Sequence, residues 1–263
     1  SFTQAAGSVL TRFDDAVTLS GAFDFTGQAL TLNAALSATT VEVTNDDSFT
    51  TAGAGDITLT GAFTQNGAGV NSLAGDITTT NSNISFLRAV TLTGPVTMTT
   101  DSGAGNITFS GTVDSTATVA NTLALTAGTG NVTFSGLVGN TNTLGAVTVS
   151  AAADVTVNGL RAESFAQTAG TGITMINTGA FTSTPQGIAT TAAAGVVINN
   201  DAITINDSID TTGDGVVTLT TDNGLLSLAA AGDIHADGAV QLSGSAGIET
   251  AGDITTTADN VTF

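Results

Sequence analysis

The sequence predicts an all-β chain that winds into a β-solenoid of about a dozen coils. Three observations favour this fold: a segment that repeats along the chain, strands in which apolar and hydroxyl side chains alternate, and glycine-rich turns between those strands. Repetition of this kind is typical of solenoids, in which each repeat forms one coil and buries its apolar face against its neighbours.

The clearest repeats are residues 103–127 and 128–151, which read GAGNITFSGTVDSTATVANTLALTA and GTGNVTFSGLVGNTNTLGAVTVSA. They align with a single one-residue gap. Each contains a Gly-x-Gly-Asn turn, a strand of pattern [IV]-T-F-S-G-x-V, a variable polar linker and a second strand. Gly reaches positive φ at low cost and Asn bonds its own backbone, so these turns can be tight.

Weaker copies occur along the whole chain, at irregular intervals of roughly 15 to 25 residues. In chain order they lie at residues 17–23, 53–63, 90–94, 170–174 and 213–220, with Gly-Asp-Ile turns at Gly232 and Gly252. No shift of composition marks a boundary, so we expect residues 1–263 to form a single continuous repeat domain. At about 22 residues per coil, the rod would be on the order of 55 Å long.

Residues 107–113 show the alternation of a strand with one buried face. Their odd positions are apolar or Gly, and their even positions carry hydroxyl groups. Leu123, Leu125 and Ala127 continue the apolar face on the second strand. Helix formers typical of surfaces are nearly absent, since the chain has three Glu and no Lys.

A row of tandem antiparallel β-sandwiches is the alternative fold. Sandwich domains favour bulky core anchors and longer strands that do not repeat. The short repeats of this chain therefore favour the solenoid.

Composition excludes several classes of function. The net charge is −19, and the only basic residues besides one histidine are Arg12, Arg88 and Arg161. Too few cations are present to neutralise phosphates, so we expect no nucleic-acid partner. No apolar run approaches the roughly 20 residues of a spanning helix, so we expect no membrane insertion. Cysteine is absent, which excludes disulfides, and 41% hydrophobic residues argue against disorder.

The segments GAGNITFSGTV, GTGNVTFSGLV, LGAVTVSAAADVTVNG and AGDITTT resemble the repeats of bacterial secreted surface proteins. These are the filamentous-haemagglutinin and autotransporter-passenger class of adhesins, together with giant β-strand-repeat exoproteins. The resemblance implies a right-handed parallel β-helix, an extracellular or cell-surface location, and a structural or adhesive role without catalysis. The chain lacks the Asn-Pro-Asn signature of two-partner secretion domains, which leaves its secretion route open.

Neither end of the sequence reads as a cap, and a solenoid without caps leaves unpaired strand edges. The chain also does not begin with Met. We therefore expect a fragment of a longer repetitive chain, whose partners are adjoining repeats or other copies, stacked into a filament or matrix.

Catalysis is not predicted. His235 is the sole histidine, and no G-x-S-x-G motif accompanies it. Since it follows an apolar residue in the strand alternation, we expect its side chain to face solvent. The carboxylate pairs of a carbohydrate-cleaving site would have to come from residues such as Asp207 and Asp210. Such a site usually also needs a basic residue to abstract or stabilise a proton, and the three Arg residues are dispersed along the chain.

A binding module on the same solenoid is the alternative function, with Ca²⁺, a surface glycan or ice as the ligand. The Gly-x-Gly-Asp turns match part of a calcium-binding nonapeptide repeat. The candidate ligands are Asp210, Asp214 and Asp222, in the densest acidic stretch. Ca²⁺ takes six to eight oxygens, and the competing interpretation is that these residues form turns. We predict no other cofactor.

The Thr-x-Thr motifs could line one face and meet glycan or ice. They begin at Thr58, Thr78, Thr91, Thr97 and Thr218. Thr is also an ordinary β-branched residue for an outward strand position. The irregular spacing of the motifs argues against a lattice matched to ice.

Equivalent positions in the repeats predict stacking inside the rod and at its corners. Phe109 and Phe134 should stack in one interior column, and Phe23, Phe63 and Phe181 in a second. Asn106 and Asn131 should stack at one corner as a side-chain amide ladder.

Overall fold

The computed structural model describes all 263 residues and contains 32 β-strands and no α-helix. Strands of successive coils pair in parallel along the whole chain. This arrangement confirms the predicted β-solenoid, or parallel β-helix, and excludes the antiparallel sandwiches. No helix of the structure is long and apolar enough to cross a membrane.

Twelve coils stack along the axis, and each coil has three strand positions. We call these positions faces A, B and C, in the order in which the chain visits them. Coils 1–4 contain β1 (Phe2–Gln4), β2 (Leu10–Phe13), β3 (Val17–Thr18), β4 (Phe23–Leu32), β5 (Leu36–Ala38), β6 (Val41–Thr51), β7 (Ile57–Leu59), β8 (Phe63–Gln65), β9 (Val70–Leu73) and β10 (Ile77–Thr79).

Coils 5–8 contain β11 (Ile84–Phe86), β12 (Val90–Leu92), β13 (Val96–Thr99), β14 (Ile107–Phe109), β15 (Val113–Ser115), β16 (Leu123–Thr126), β17 (Val132–Phe134), β18 (Leu144–Ala151), β19 (Val155–Asn158) and β20 (Leu160–Gln167). Coils 9–12 contain β21 (Ile173–Asn177), β22 (Ile188–Thr190), β23 (Val196–Asn200), β24 (Ala202–Ile205), β25 (Ile209–Thr211), β26 (Val217–Thr221), β27 (Leu226–Leu228), β28 (Ile234–Ala236), β29 (Val240–Gly244), β30 (Ile248–Thr250), β31 (Ile254–Thr256) and β32 (Val261–Thr262).

Four coils depart from the pattern of three separate strands. The long strands β4 and β6 each run over faces A and B, and β20 runs over faces B and C. Coil 7 reaches face B only through Val138, which bridges Val113 and Leu160.

The interior is one cluster of 53 buried hydrophobic residues. The alternation in the sequence places them: Ile107 and Phe109 are buried, and Thr108 between them faces outward. One continuous core therefore runs along the axis, which is the usual way in which solenoids bury their apolar surface.

Interior Phe residues stack from coil to coil as predicted. The rings of Phe86, Phe109 and Phe134 are nearly parallel, with centroids 5.7 and 5.2 Å apart. Their spacing follows the parallel register, which places each ring above its equivalent in the previous coil.

Two of the three members of the second predicted column share a column, but they do not stack on each other, because Val41 lies between them. Phe23 and Phe63 both align with Val41 in the register of face A. The prediction for Phe181 is wrong, because this residue lies in a loop outside the strand columns. That loop interrupts the repeat, so a residue inside it has no equivalent in the neighbouring coils.

Coil length varies because insertions are confined to the turns. Coil length can be measured as the number of residues between aligned positions of face A in neighbouring coils. This number is 18 from Phe23 to Val41 and 29 from Thr174 to Ile203. The longest coil is coil 9, which carries the loop of residues 178–187 between β21 and β22. The strand register is kept across that loop, so the core continues past it.

Candidate functional site

His235 and Asp210 form the one pair of oppositely chargeable groups on the outer surface of face B near the C-terminal end. Strands β25 and β28 place them opposite each other, and His235 Nδ1 lies 3.2 Å from Asp210 Oδ1. The imidazole is 48% exposed, which confirms that His235 faces solvent. Asp210 is the only side-chain partner of His235. No hydroxyl group therefore makes the nucleophile-to-base contact of a Ser-His-Asp triad.

The three candidate calcium ligands lie on different parts of coil 10. Asp210 is on face B, Asp214 is in the turn between faces B and C, and Asp222 follows β26 at the next corner. The Asp214 backbone N–H donates to Asp237 Oδ2 at 2.9 Å, with Asp214 at a φ of 61°. The structure does not bring the three carboxylates together. No group of three or more His, Asp or Glu side chains is arranged to hold a metal ion.

Two open grooves meet at His235. The larger, of about 530 Å³, lies between the loop of residues 178–187 and the A-to-B turns of coils 10 and 11. The smaller, of about 290 Å³, crosses coils 10 to 12 on the other side of His235. Carboxylates of Asp207, Asp210 and Asp233 line the larger groove. Its chemistry is that of hydrogen-bond acceptors beside one imidazole.

Arg161 anchors the loop that forms one wall of the larger groove. Its guanidinium Nη2 donates to the carbonyl oxygen of Ser183 at 2.7 Å and to Ser183 Oγ at 3.0 Å. Its Cζ also lies 4.0 Å from the ring centroid of Phe181, a cation–π contact. Gly159, at a φ of 89°, leaves room for that ring, because a Cβ there would clash with it.

The repeat pattern of the sequence does not predict this anchor. The available signal was the loss of the repeat over residues 178–187, together with Pro185, one of only two prolines in the chain. A segment that breaks a repeat maps to a loop on one face of a solenoid. Arg161, the single Arg of the preceding coil, is therefore the side chain that the sequence offers as a contact for this loop.

Two carboxylates have pKa values below the usual range. Asp237 accepts hydrogen bonds from the Asp214 backbone N–H and from the Thr257 hydroxyl, and these bonds to its charged form lower its pKa. Asp14 accepts from the Asn33 amide and from Arg12, which lowers its pKa in the same way. Both are bonded across coils or turns, so they act as structural carboxylates.

Asn side chains connect the coils at the corner before face A. Asn106 Oδ1 accepts from the Asn131 backbone N–H at 2.8 Å, and Asn131 Oδ1 accepts from that of Asp154 at 3.0 Å. Asn106 and Asn131 do align at one corner, but the predicted side-chain amide ladder between them is wrong, because each bond runs from a backbone N–H to a side-chain oxygen. The expected amide-to-amide bonds occur instead at the end of face A, where Asn177 Nδ2 donates to Asn158 Oδ1 and Asn206 Nδ2 to Asn177 Oδ1.

The Thr-x-Thr motifs do not form a regular two-column array. Thr58, Thr78 and Thr99 align on face C. Because Thr99 is the second Thr of its motif and the other two are first, that motif is displaced by two residues. The motif that begins at Thr91 lies on face B, where Thr91 aligns with Asp114.

Comparison of the chain with protein-family models, with curated proteins and with solved structures finds no match.

Proposed function

We propose that the protein is a non-catalytic structural or adhesive shaft of an extracellular or cell-surface bacterial protein. The observation that carries this proposal is the uninterrupted core, which links coils 2 to 11 as one hydrophobic cluster with the residues of coils 1 and 12 packed against it. A rod of this kind keeps its two ends at a fixed distance, which is what a shaft has to do.

Inter-coil hydrogen bonds support the same role. Every pair of neighbouring coils is joined by parallel backbone pairing, and side chains add bonds at the corners, as Asn131 does to Asp154. These bonds run along the axis and resist separation of the coils.

The outer surface supports a location in water. Nineteen Asp and three Glu give the chain its charge of −19, and most of them lie in turns at the edges of the faces. Such a charge keeps a protein soluble and makes its copies repel one another. The bacterial cell surface enters the proposal through the resemblance of the repeats to secreted adhesins.

Immunogold electron microscopy of the organism that produces the chain tests this proposal. An antibody against residues 1–263 should label intact, unpermeabilised cells, on thin structures that project from the surface. An antibody against a cytoplasmic protein is the control and should label only opened cells. Label confined to opened cells would contradict the proposal.

A further inference from the structure

Face C carries no charged side chain. Its strands read VT, LSA, ITL, ITT, VTMT, LALT, LGAVTVSA, VVINN, VTLTT, VQLSG and VT, from β3 to β32. In β20, residues 165–167 lie on face C. The exposed Glu163 lies at the corner just before them, between the pairs that Ala162 and Ser164 form with Leu144 and Ala146 at the start of β18. The chain has 22 acidic residues, and none of them lies on the strands of face C. The low charge of this face therefore does not follow from the composition of the chain as a whole.

The other two faces are different. Face A carries Asp24, Glu42 and Glu249 on its strands. Face B carries Asp114 and Asp210 among others, together with Arg12, Arg161 and His235. The charge of the molecule is therefore concentrated on face B, at the ends of face A and in the turns.

Short uncharged side chains, most of them Thr or Ser, occupy one outward column of face C in register. In coils 1 to 6 the aligned column is Thr18, Ser37, Thr58, Thr78, Thr99 and Thr126. In coils 9 to 11 the aligned residues are Asn199, Thr220 and Ser243. No long, flexible side chain other than Gln241 projects from these strands.

Covering such a face with another protein surface costs little free energy. Uncharged side chains lose little hydration compared with carboxylates, and short β-branched side chains lose little rotamer freedom. Depletion of charge at the centre is also the compositional mark of protein–protein interfaces.

The size of face C fits a stable pair. Twelve coils at about 4.8 Å give a length of about 55 Å, and about five residues of strand give a width of about 15 Å. The resulting area, about 800 Å² on each partner, is that of a standard protein–protein interface.

We propose that face C is the contact surface for a second copy of the chain, with the two rods side by side and related by a two-fold axis. A two-fold contact uses the same patch on both partners. Of the three faces, face C is the one whose strands carry no carboxylate in any coil, whereas those of face A are uncharged only between the ends of the rod. The pairing rests on the proposed function, since it is a way to join shafts into a bundle or matrix.

Acids at the corners beside face C, such as Asp76, Asp101 and Asp222, still repel at longer range. Salt screens this repulsion between exposed charges. Pairing should therefore tighten as NaCl rises from about 0.1 to about 1 M, the reverse of an interface held by salt bridges.

Two double variants test the surface. T99E/T126E places two carboxylates in adjacent coils on face C, and T108E/T133E places two in adjacent coils on face A. All four residues are half-buried outward positions in the middle of the rod, so the two variants are matched for charge and for burial. Circular dichroism and thermal melting establish that both fold.

Sedimentation equilibrium should give a dimer of the wild-type chain, a dimer constant weakened at least about tenfold in T99E/T126E, and no comparable change in T108E/T133E. Small-angle scattering should show a doubled cross-section at unchanged length. A wild-type chain that stays monomeric in about 1 M NaCl would overturn the proposal. So would equal weakening by both variants, or longer particles of single cross-section, which mean end-to-end stacking.

A wild-type monomer that binds a neutral polysaccharide such as dextran through face C would also overturn the pairing, in favour of a glycan occupant. None of these outcomes depends on surface labelling of cells. The pairing and the shaft function can therefore fail separately.

Discussion

At the scale of single residues, the corners of the rod are held by side-chain oxygens that accept backbone N–H groups of the next coil. Asn131 takes part twice, since its N–H donates to Asn106 Oδ1 and its Oδ1 accepts from Asp154. The same arrangement recurs where Asp233 Oδ1 accepts from the Asp253 N–H. Each such residue supplies the acceptor for a backbone N–H at a turn.

Asn131→Ala should therefore destabilise the protein by about 1 kcal/mol, because it leaves the Asp154 N–H without its acceptor at a half-buried corner. Urea unfolding measures the change. Asn140→Ala is the matched control, since Asn140 is exposed and makes no side-chain hydrogen bond, and it should leave stability within error. Equal effects of both substitutions would show that the corner bond contributes nothing.

Asp237 predicts a pH dependence of stability. Its folded-state pKa lies below the ordinary 3.8, so its contribution is present above that value and is lost as pH falls through the folded pKa. The melting temperature of the wild type should fall below about pH 4 more steeply than that of Asp237→Asn, whose amide oxygen accepts without titrating. Parallel curves for the two proteins would contradict this prediction.

At the scale of elements, the loop of residues 178–187 is the part of the chain that is held by side chains rather than by strand pairing. Arg161 contacts it through Ser183 and Phe181, and within it Gln186 Nε2 donates to the Phe181 carbonyl at 3.0 Å. Arg161 is the one side chain outside the loop that forms hydrogen bonds with it.

Arg161→Gln should loosen this loop without unfolding the coils. Hydrogen exchange of the Gly179 amide, which donates to the Gln186 carbonyl at 2.8 Å, should accelerate by about tenfold or more. Arg88→Gln is the control, because Arg88 is exposed and makes no side-chain hydrogen bond. A slow Gly179 amide in Arg161→Gln would show that the loop is held by other contacts.

Side-chain positions could be predicted from the sequence in those strands that have a similar copy elsewhere in the chain. Phe109 and Phe134 occupy the same place in two adjacent repeats, so their stacking followed from alignment alone, and the outward direction of His235 followed from strand alternation. Phe181 was misplaced because its loop has no copy to align with. The position of Asp222 one corner away from Asp214 depends on where β26 ends, and residue spacing alone does not give that turn.

At the scale of the whole molecule, the −19 charge is spread along a rod, with few cations to compensate it. Self-repulsion of this kind destabilises a compact state and is relieved by any ion that screens it. The response to divalent cations therefore separates general screening from a calcium site.

Ca²⁺ and Mg²⁺ at equal concentration should raise the melting temperature by the same amount, because Asp210, Asp214 and Asp222 do not converge. Differential scanning calorimetry in each salt makes the comparison, with NaCl at matched ionic strength as the control. A rise specific to Ca²⁺ that disappears in Asp210→Asn would establish the calcium module instead.

The parallel stacking of coils has a consequence for fibre diffraction. Strands lie across the rod axis and repeat along it at about 4.8 Å, which is the spacing that defines cross-β material. An aligned specimen of this protein should give a meridional reflection at that spacing, although every rung belongs to one folded, covalently continuous chain. For surface fibres built of such chains, a cross-β pattern would report native architecture and would not identify amyloid.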